Sequence, residues 1–156
     1  MASTLYQTGN AERAENVYQE LLKQYPNDIQ PLNDLAWILQ EHDHRYEAAL
    51  KLVNKGLRLA PNGLHLLDTR GTILSNLPNR LADAKKDFQK LVELSLANTP
   101  QQGKALLQLG RICAKLNDFA QAKQHLERAM EIDQKINILT PDERSEITRI
   151  LQGSGI

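Results

Sequence analysis

Three groups of side chains in this chain have types that could do chemistry, and their spacing decides what each can do. The stretch "EHDHRYE" sets His42 and His44 on either side of Asp43. A metal site needs three or four convergent ligands, and no further ligand stands at a suitable spacing, so neither a metal nor any other cofactor is expected. His65 and His125 fall in other segments. Cys113 is the single cysteine, which rules out an internal disulfide and gives no zinc spacing. A cysteine nucleophile also needs exposure and an activating neighbour, whereas Cys113 falls on an apolar helical stripe and reads as a small buried hydrophobe. There is no Gly-rich phosphate loop, no G-x-S-x-G and no H-E-x-x-H. The third group is cationic. Lys104, Arg111 and Lys115 are spaced seven and four apart, which puts them on one helical face. Such a face suits an acidic segment or a terminal carboxylate. The plainer alternative is ordinary solvated charge, since a single surface charge is worth little.

Composition narrows the classes further. Lys plus Arg and Asp plus Glu number 19 each, so the chain lacks the basic excess from which nucleic-acid binders draw affinity. Aromatic residues are 4% of the 156, too few for a base-stacking platform. No apolar run approaches the roughly 20 residues that span a bilayer. The opening "MASTLYQTGN" has neither the basic patch nor the apolar core of a signal peptide. Nothing argues for an oxidising compartment or a membrane, and the cytoplasm is the default location.

The elements that position these residues repeat. "AENVYQELLKQYP", "ALKLVNKGLRLAP", "AKKDFQKLVELSL" and "AKQHLERAMEIDQ" begin at Ala14, Ala49, Ala84 and Ala122, in steps of 35, 35 and 38. Four residues on stand Tyr18, Val53, Phe88 and Leu126; eight on stand Leu22, Leu57, Val92 and Met130. Offsets of 0, 4, 7 and 8 mark one face of a helix. A small residue followed a turn later by a large one is what two closely approaching helices need. Pro26 and Pro61 end the first two phrases. A second helix precedes the later phrases, each with a large residue before a small one: Leu35-Ala36, Arg70-Gly71, Leu109-Gly110. A glycine within a helix costs about 1 kcal/mol, so close packing is the reason to keep it. Short polar turns join the two helices into hairpins of about 34 residues.

These units resemble tetratricopeptide repeats. The carriers are Leu35-Ala36, Ala49 and Pro61 in one unit and Leu109-Gly110, Ala122 and Ala129 in the last, in register across about nine-tenths of the chain. "NDLAWILQE" followed by "YEAALKLVNKGLRLAPN" is similar to a pairing common in bacterial members of that family. The resemblance implies an all-α, right-handed superhelical solenoid of helical hairpins and one domain over 1–156. The units are a partial first repeat at 1–28, repeats at 29–62, 63–98 and 103–136, and a capping helix at 140–152. In that helix Thr140 and Glu143 fit a capping box, and Pro141 takes the first helical position. Glu143, Arg144, Glu146 and Arg149 are expected to face water. "ANTPQQG", with Leu96 standing where the family usually has proline, implies a longer loop before Lys104. Only eight residues precede Gly9, which implies a chain that starts inside a helix, as a piece of a longer array would. Apolar surface around Leu5, Tyr6, Val17 and Leu21 would then favour self-association.

The resemblance further implies a non-catalytic scaffold or adaptor that holds a peptide or helix of a protein partner along the concave face. The side chains flanking the core stripe on the first helices are the candidates: Asn33, Trp37 and Gln40; His65, Asp68 and Thr72; Lys104, Arg111 and Lys115. Trp37 lies about 100° round the helix from Ala36. It serves either as a partner anchor or, as its place at the stripe's edge favours, as packing between neighbouring first helices. Some members grip a terminal carboxylate with Lys, Asn and Arg; Asn33 and Trp37 match that set poorly, and the specificity is not carried over. A helical-repeat RNA-binding module is the alternative from another class, against which the zero net charge counts.

Overall fold

The computed structural model describes residues 10–42 and 44–153. Its contacts divide the chain into two compact units, 1–78 and 79–156. In the first unit lie α1 (Ala11–Gln24), α2 (Ile29–Glu41), α3 (Tyr46–Leu59) and α4 (Leu64–Ser75). In the second lie α5 (Leu81–Leu94), α6 (Pro100–Lys115), α7 (Phe119–Ile136) and α8 (Pro141–Leu151). Among the described residues every regular element is a helix, so the fold is all-α. None of these helices is long and apolar enough to cross a membrane.

The repeated phrases are the second helices of hairpins. Their opening alanines, Ala14, Ala49, Ala84 and Ala122, are all buried, as are the large residues a turn later, Tyr18, Val53, Phe88 and Leu126. α1 packs on α2 and α2 on α3; in the other unit α6 packs on α7. Mid-helix glycines permit close approach at α6–α7 and where α3 meets α4. A Cβ on Gly110 would stand 2.3 Å from Leu126 Cδ2, and one on Gly56 would stand 2.6 Å from Leu66 Cδ2.

The turns share a backbone device. His44, Asn79 and Asn117 each stand two residues before the helix that follows, and each has positive φ, at 51°, 60° and 59°. Asparagine tolerates that region well, and histidine enters it more readily than most side chains. His44 is also held locally, with its Nδ1 3.3 Å from the Gln40 carbonyl.

Two expectations need correcting. The link before Lys104 is short, because α6 starts at Pro100 and takes in Gln101, Gln102 and Gly103. Thr99 caps it by accepting from the Gln102 amide at 3.3 Å, and a proline at the first position suits a helix start. The charged residues of α8 do not simply face water: Glu143 and Glu146 pair with α6, and Arg144 pairs with α7. Of the N-terminal apolar surface, Leu5 and Tyr6 lie outside the described residues; Val17 and Leu21 are half-buried on α1.

Candidate functional site

In the first unit, the opening turns of α2 and α4 enclose an open pocket of about 610 Å³. Asp28 caps α2, its carboxylate accepting from the Gln30 amide at 3.2 Å. Gln30, Asn33 and Asp34 then line the pocket from α2, and Leu64, His65 and Leu66 line it from α4. Helical spacing puts residues 30, 33 and 34 on one side of α2.

The polar groups here are tied to one another. Thr69 Oγ1, buried, donates to Asn33 Oδ1 at 2.9 Å and so links α4 to α2. Tyr18 of α1 donates its hydroxyl to Asp34 Oδ2 at 2.8 Å, and Gln30 Nε2 donates to the same oxygen at 3.3 Å. Burial and then the Asp34 carboxylate push the Tyr18 phenol far above its ordinary pKa. The phenol therefore stays a donor to Asp34. Asp68 follows His65 by three residues on α4. Burial raises its carboxyl pKa, and the adjacent His65 pulls it back.

The sequence candidates thus have distinct fates in the first unit. Asn33 and His65 come together in the pocket. Asp68 and Thr72 are half-buried on α4, and Trp37 is half-buried on α2. Gln40 is only 3% exposed, with Nε2 donating to Glu41 Oε2 at 3.0 Å. It turns inward rather than offering its amide to a ligand. Asp28, Asp34 and Thr69 escaped the sequence reading, and Tyr18 was read only as a core residue of its helix. The legible signal was Gln30 and Asp34 at i and i+4, a spacing that brings amide and carboxylate together.

In the second unit α8 meets the cationic face of α6. Lys104 Nζ reaches both Glu143 oxygens, at 2.6 and 2.9 Å. Arg111 forks onto Glu146, its Nε donating to Oε1 at 2.9 Å and its second nitrogen to Oε2. Glu143 and Glu146 are three residues apart on α8, so one face of it answers Lys104 and Arg111. Lys115 ends α6 in solvent. The capping box at Thr140 is present, so Glu143 serves both the cap and Lys104. Burial raises its carboxyl pKa, but Lys104 and the Thr140 amide outweigh that and leave it lowered.

Arg144, expected in water, instead clamps Asp133 of α7 at 2.5 and 3.1 Å. The amides of Ile138 and Leu139 donate to the same carboxylate at 2.8 and 2.7 Å. Arg144 and these two amides hold the buried Asp133 carboxyl down at about 2, from an ordinary 3.8. Beneath α8, Ile147 joins Leu106, Leu126, Ala129 and Ile132 in one apolar cluster.

Cys113 is wholly buried, and burial raises its thiol pKa more than neighbouring Lys85 lowers it. His125 is lowered by burial and then by Lys85, which pairs with Asp118 at 3.5 Å. Among the described residues no three His, Cys, Asp or Glu side chains are grouped to hold a metal ion, and Asp43 lies outside them.

Comparison with known proteins accounts for this architecture. The chain matches solved structures of other helical-repeat proteins. MamA from Desulfovibrio magneticus RS-1 superposes with a TM-score of 0.76 at 23% identity, covering 88% of this chain and 74% of that one. PilF of Pseudomonas aeruginosa superposes at 0.83 with 20% identity, over 98% of this chain and 65% of that one. YrrB, described as a tetratricopeptide repeat protein with an unusual peptide-binding site, superposes at 0.69 with 21% identity, over 88% and 66%. At these identities the likeness shows the fold. No curated protein matches the sequence. Sequence profiles of the tetratricopeptide repeat match residues 1–63 and 71–135, which together take in most of the chain and all four repeated phrases. This chain belongs to the tetratricopeptide repeat family.

Proposed function

We propose that the chain is a non-catalytic protein-interaction module, and that it holds a peptide segment of its partner against the first helices of its hairpins. The observation that carries this reading is the pocket of about 610 Å³ between the opening turns of α2 and α4. Its walls are rigid helices, and its polar lining is oriented by mutual hydrogen bonds, which lowers the entropic cost of binding. A partner residue entering there meets amide, carboxylate and imidazole groups beside the apolar Leu64 and Leu66. YrrB, with the same fold, is described as having a peptide-binding site, which agrees with such a use. The scaffold or adaptor role follows: recognition is by shape and a few polar contacts, with no bond made or broken.

Filling the pocket tests the reading. Gln30 and His65 are exposed on its walls, so Gln30→Trp and His65→Trp should block it without disturbing the interior. Wild type and both variants would be used to capture proteins from lysate, with identification by mass spectrometry and a thermal melt of each chain. A partner held by wild type and lost by both variants, at unchanged melting temperature, is expected. Partners retained equally by all three would overturn the site.

A further inference from the structure

We infer that the ligand of the α2–α4 pocket is a basic segment, one that enters it with an arginine or lysine side chain. The inference rests on the pocket reading above and adds the chemistry of the occupant. α2 carries Asp34 and Glu41 and no Lys or Arg. α4 carries Asp68 and one basic residue, Arg70, whose Nη1 donates at 3.1 Å to Asn54 of α3. Asp28 and Asp34 line the pocket, Asp68 lies a turn beyond His65, and no Lys or Arg lines it. Among the described residues, none of these three aspartates is in an ion pair with a Lys or Arg.

The contrast within the chain sharpens the point. Lys104 and Arg111 on α6 already have carboxylate partners from α8. An acidic peptide would have to displace that helix, whereas a cation at α2 displaces nothing. Asp34 is also prepared as an acceptor. Tyr18 and Gln30 both donate to its Oδ2, which fixes the carboxylate plane while Oδ1 takes neither bond. A fixed carboxylate beside Asn33, whose own oxygen already accepts from Thr69, suits the planar fork of a guanidinium better than a point-charge ammonium. Partly buried walls screen the charge less than open water does.

The test is a random dodecapeptide display library, selected on the intact wild-type chain and counter-selected on Gln30→Trp. Peptides that need the open pocket should be enriched in Arg and Lys. Each of Asp34→Asn and Asp28→Asn should weaken a selected peptide about fivefold, the size expected of one partly exposed charge pair. Asparagine keeps acceptors for the Tyr18 and Gln30 bonds, and a thermal melt of each variant checks the fold. Pocket-dependent peptides that are acidic or show no charge bias would overturn the inference and leave the pocket reading standing. Peptides indifferent to Gln30→Trp would overturn both.

Discussion

Gly110 shows at the scale of one residue how this fold is specified. It sits within α6, where alanine would gain about 1 kcal/mol of helix propensity. A Cβ there would lie 2.3 and 2.4 Å from two carbons of Leu126, a side chain with no exposed surface to retreat into. Overpacking of this kind costs about 1–3 kcal/mol, so Gly110→Ala should destabilise the chain despite the better helix former. A urea titration measures this; a midpoint equal to or above that of wild type would refute it. The glycine's role was legible beforehand, because a small residue follows a large one at the matching place in each first helix. The turn asparagines were visible too, although only the backbone reveals that Asn79, Asn117 and His44 share one left-handed position. Gln40 was not legible. Its offset matches that of Ser75 and Ala114, which are only half-buried, and its own burial follows from how the helices around it pack.

At the scale of the element, α8 is the part whose existence could be read and whose contacts could not. Thr140, Pro141 and Glu143 announce its start within four residues. The carboxylates of Glu143 and Glu146 meet Lys104 and Arg111 across 39 and 35 residues of chain, and no local pattern encodes that pairing. Asp133 is the hinge of the arrangement, binding Arg144 of α8 and the two amides that lead into it. Its carboxyl moves from 3.8 to about 2 on folding. A pKa depressed by folding stabilises the native state above the unfolded value, and that stability is lost as pH falls toward the folded one. The anchoring of α8 should therefore hold at neutral pH and weaken between about pH 4 and pH 2. Methyl NMR signals of Ile147 and Ile150 would report it, and Asp133→Asn should show the acid-state shifts already at pH 7. Methyl shifts constant down to pH 2 would refute the assignment.

At the scale of the whole molecule, a chain of hairpins draws its stability from neighbours in sequence, so damage should stay near where it is made. Ile147 is a clean place to test this, since it is wholly buried and belongs to the cluster with Leu106, Leu126 and Ile132. Ile147→Ala should cost about 2–5 kcal/mol locally, the usual range for emptying such a site. Native-state hydrogen exchange resolves where that loss appears. Protection should fall by at least about tenfold in α6, α7 and α8, because a loss of 1.4 kcal/mol already corresponds to that factor. Amides of α2 and α3 should keep their rates, since their packing lies within the first unit around Leu35, Leu39 and Val53. A fall of equal size in α2 and α3 would mean that the chain unfolds as one cooperative body. A peptide pocket on α2 and α4 would then be tied to the state of α8. A fall confined to the second unit would leave that pocket intact when α8 lets go, and binding measured on Ile147→Ala should match wild type.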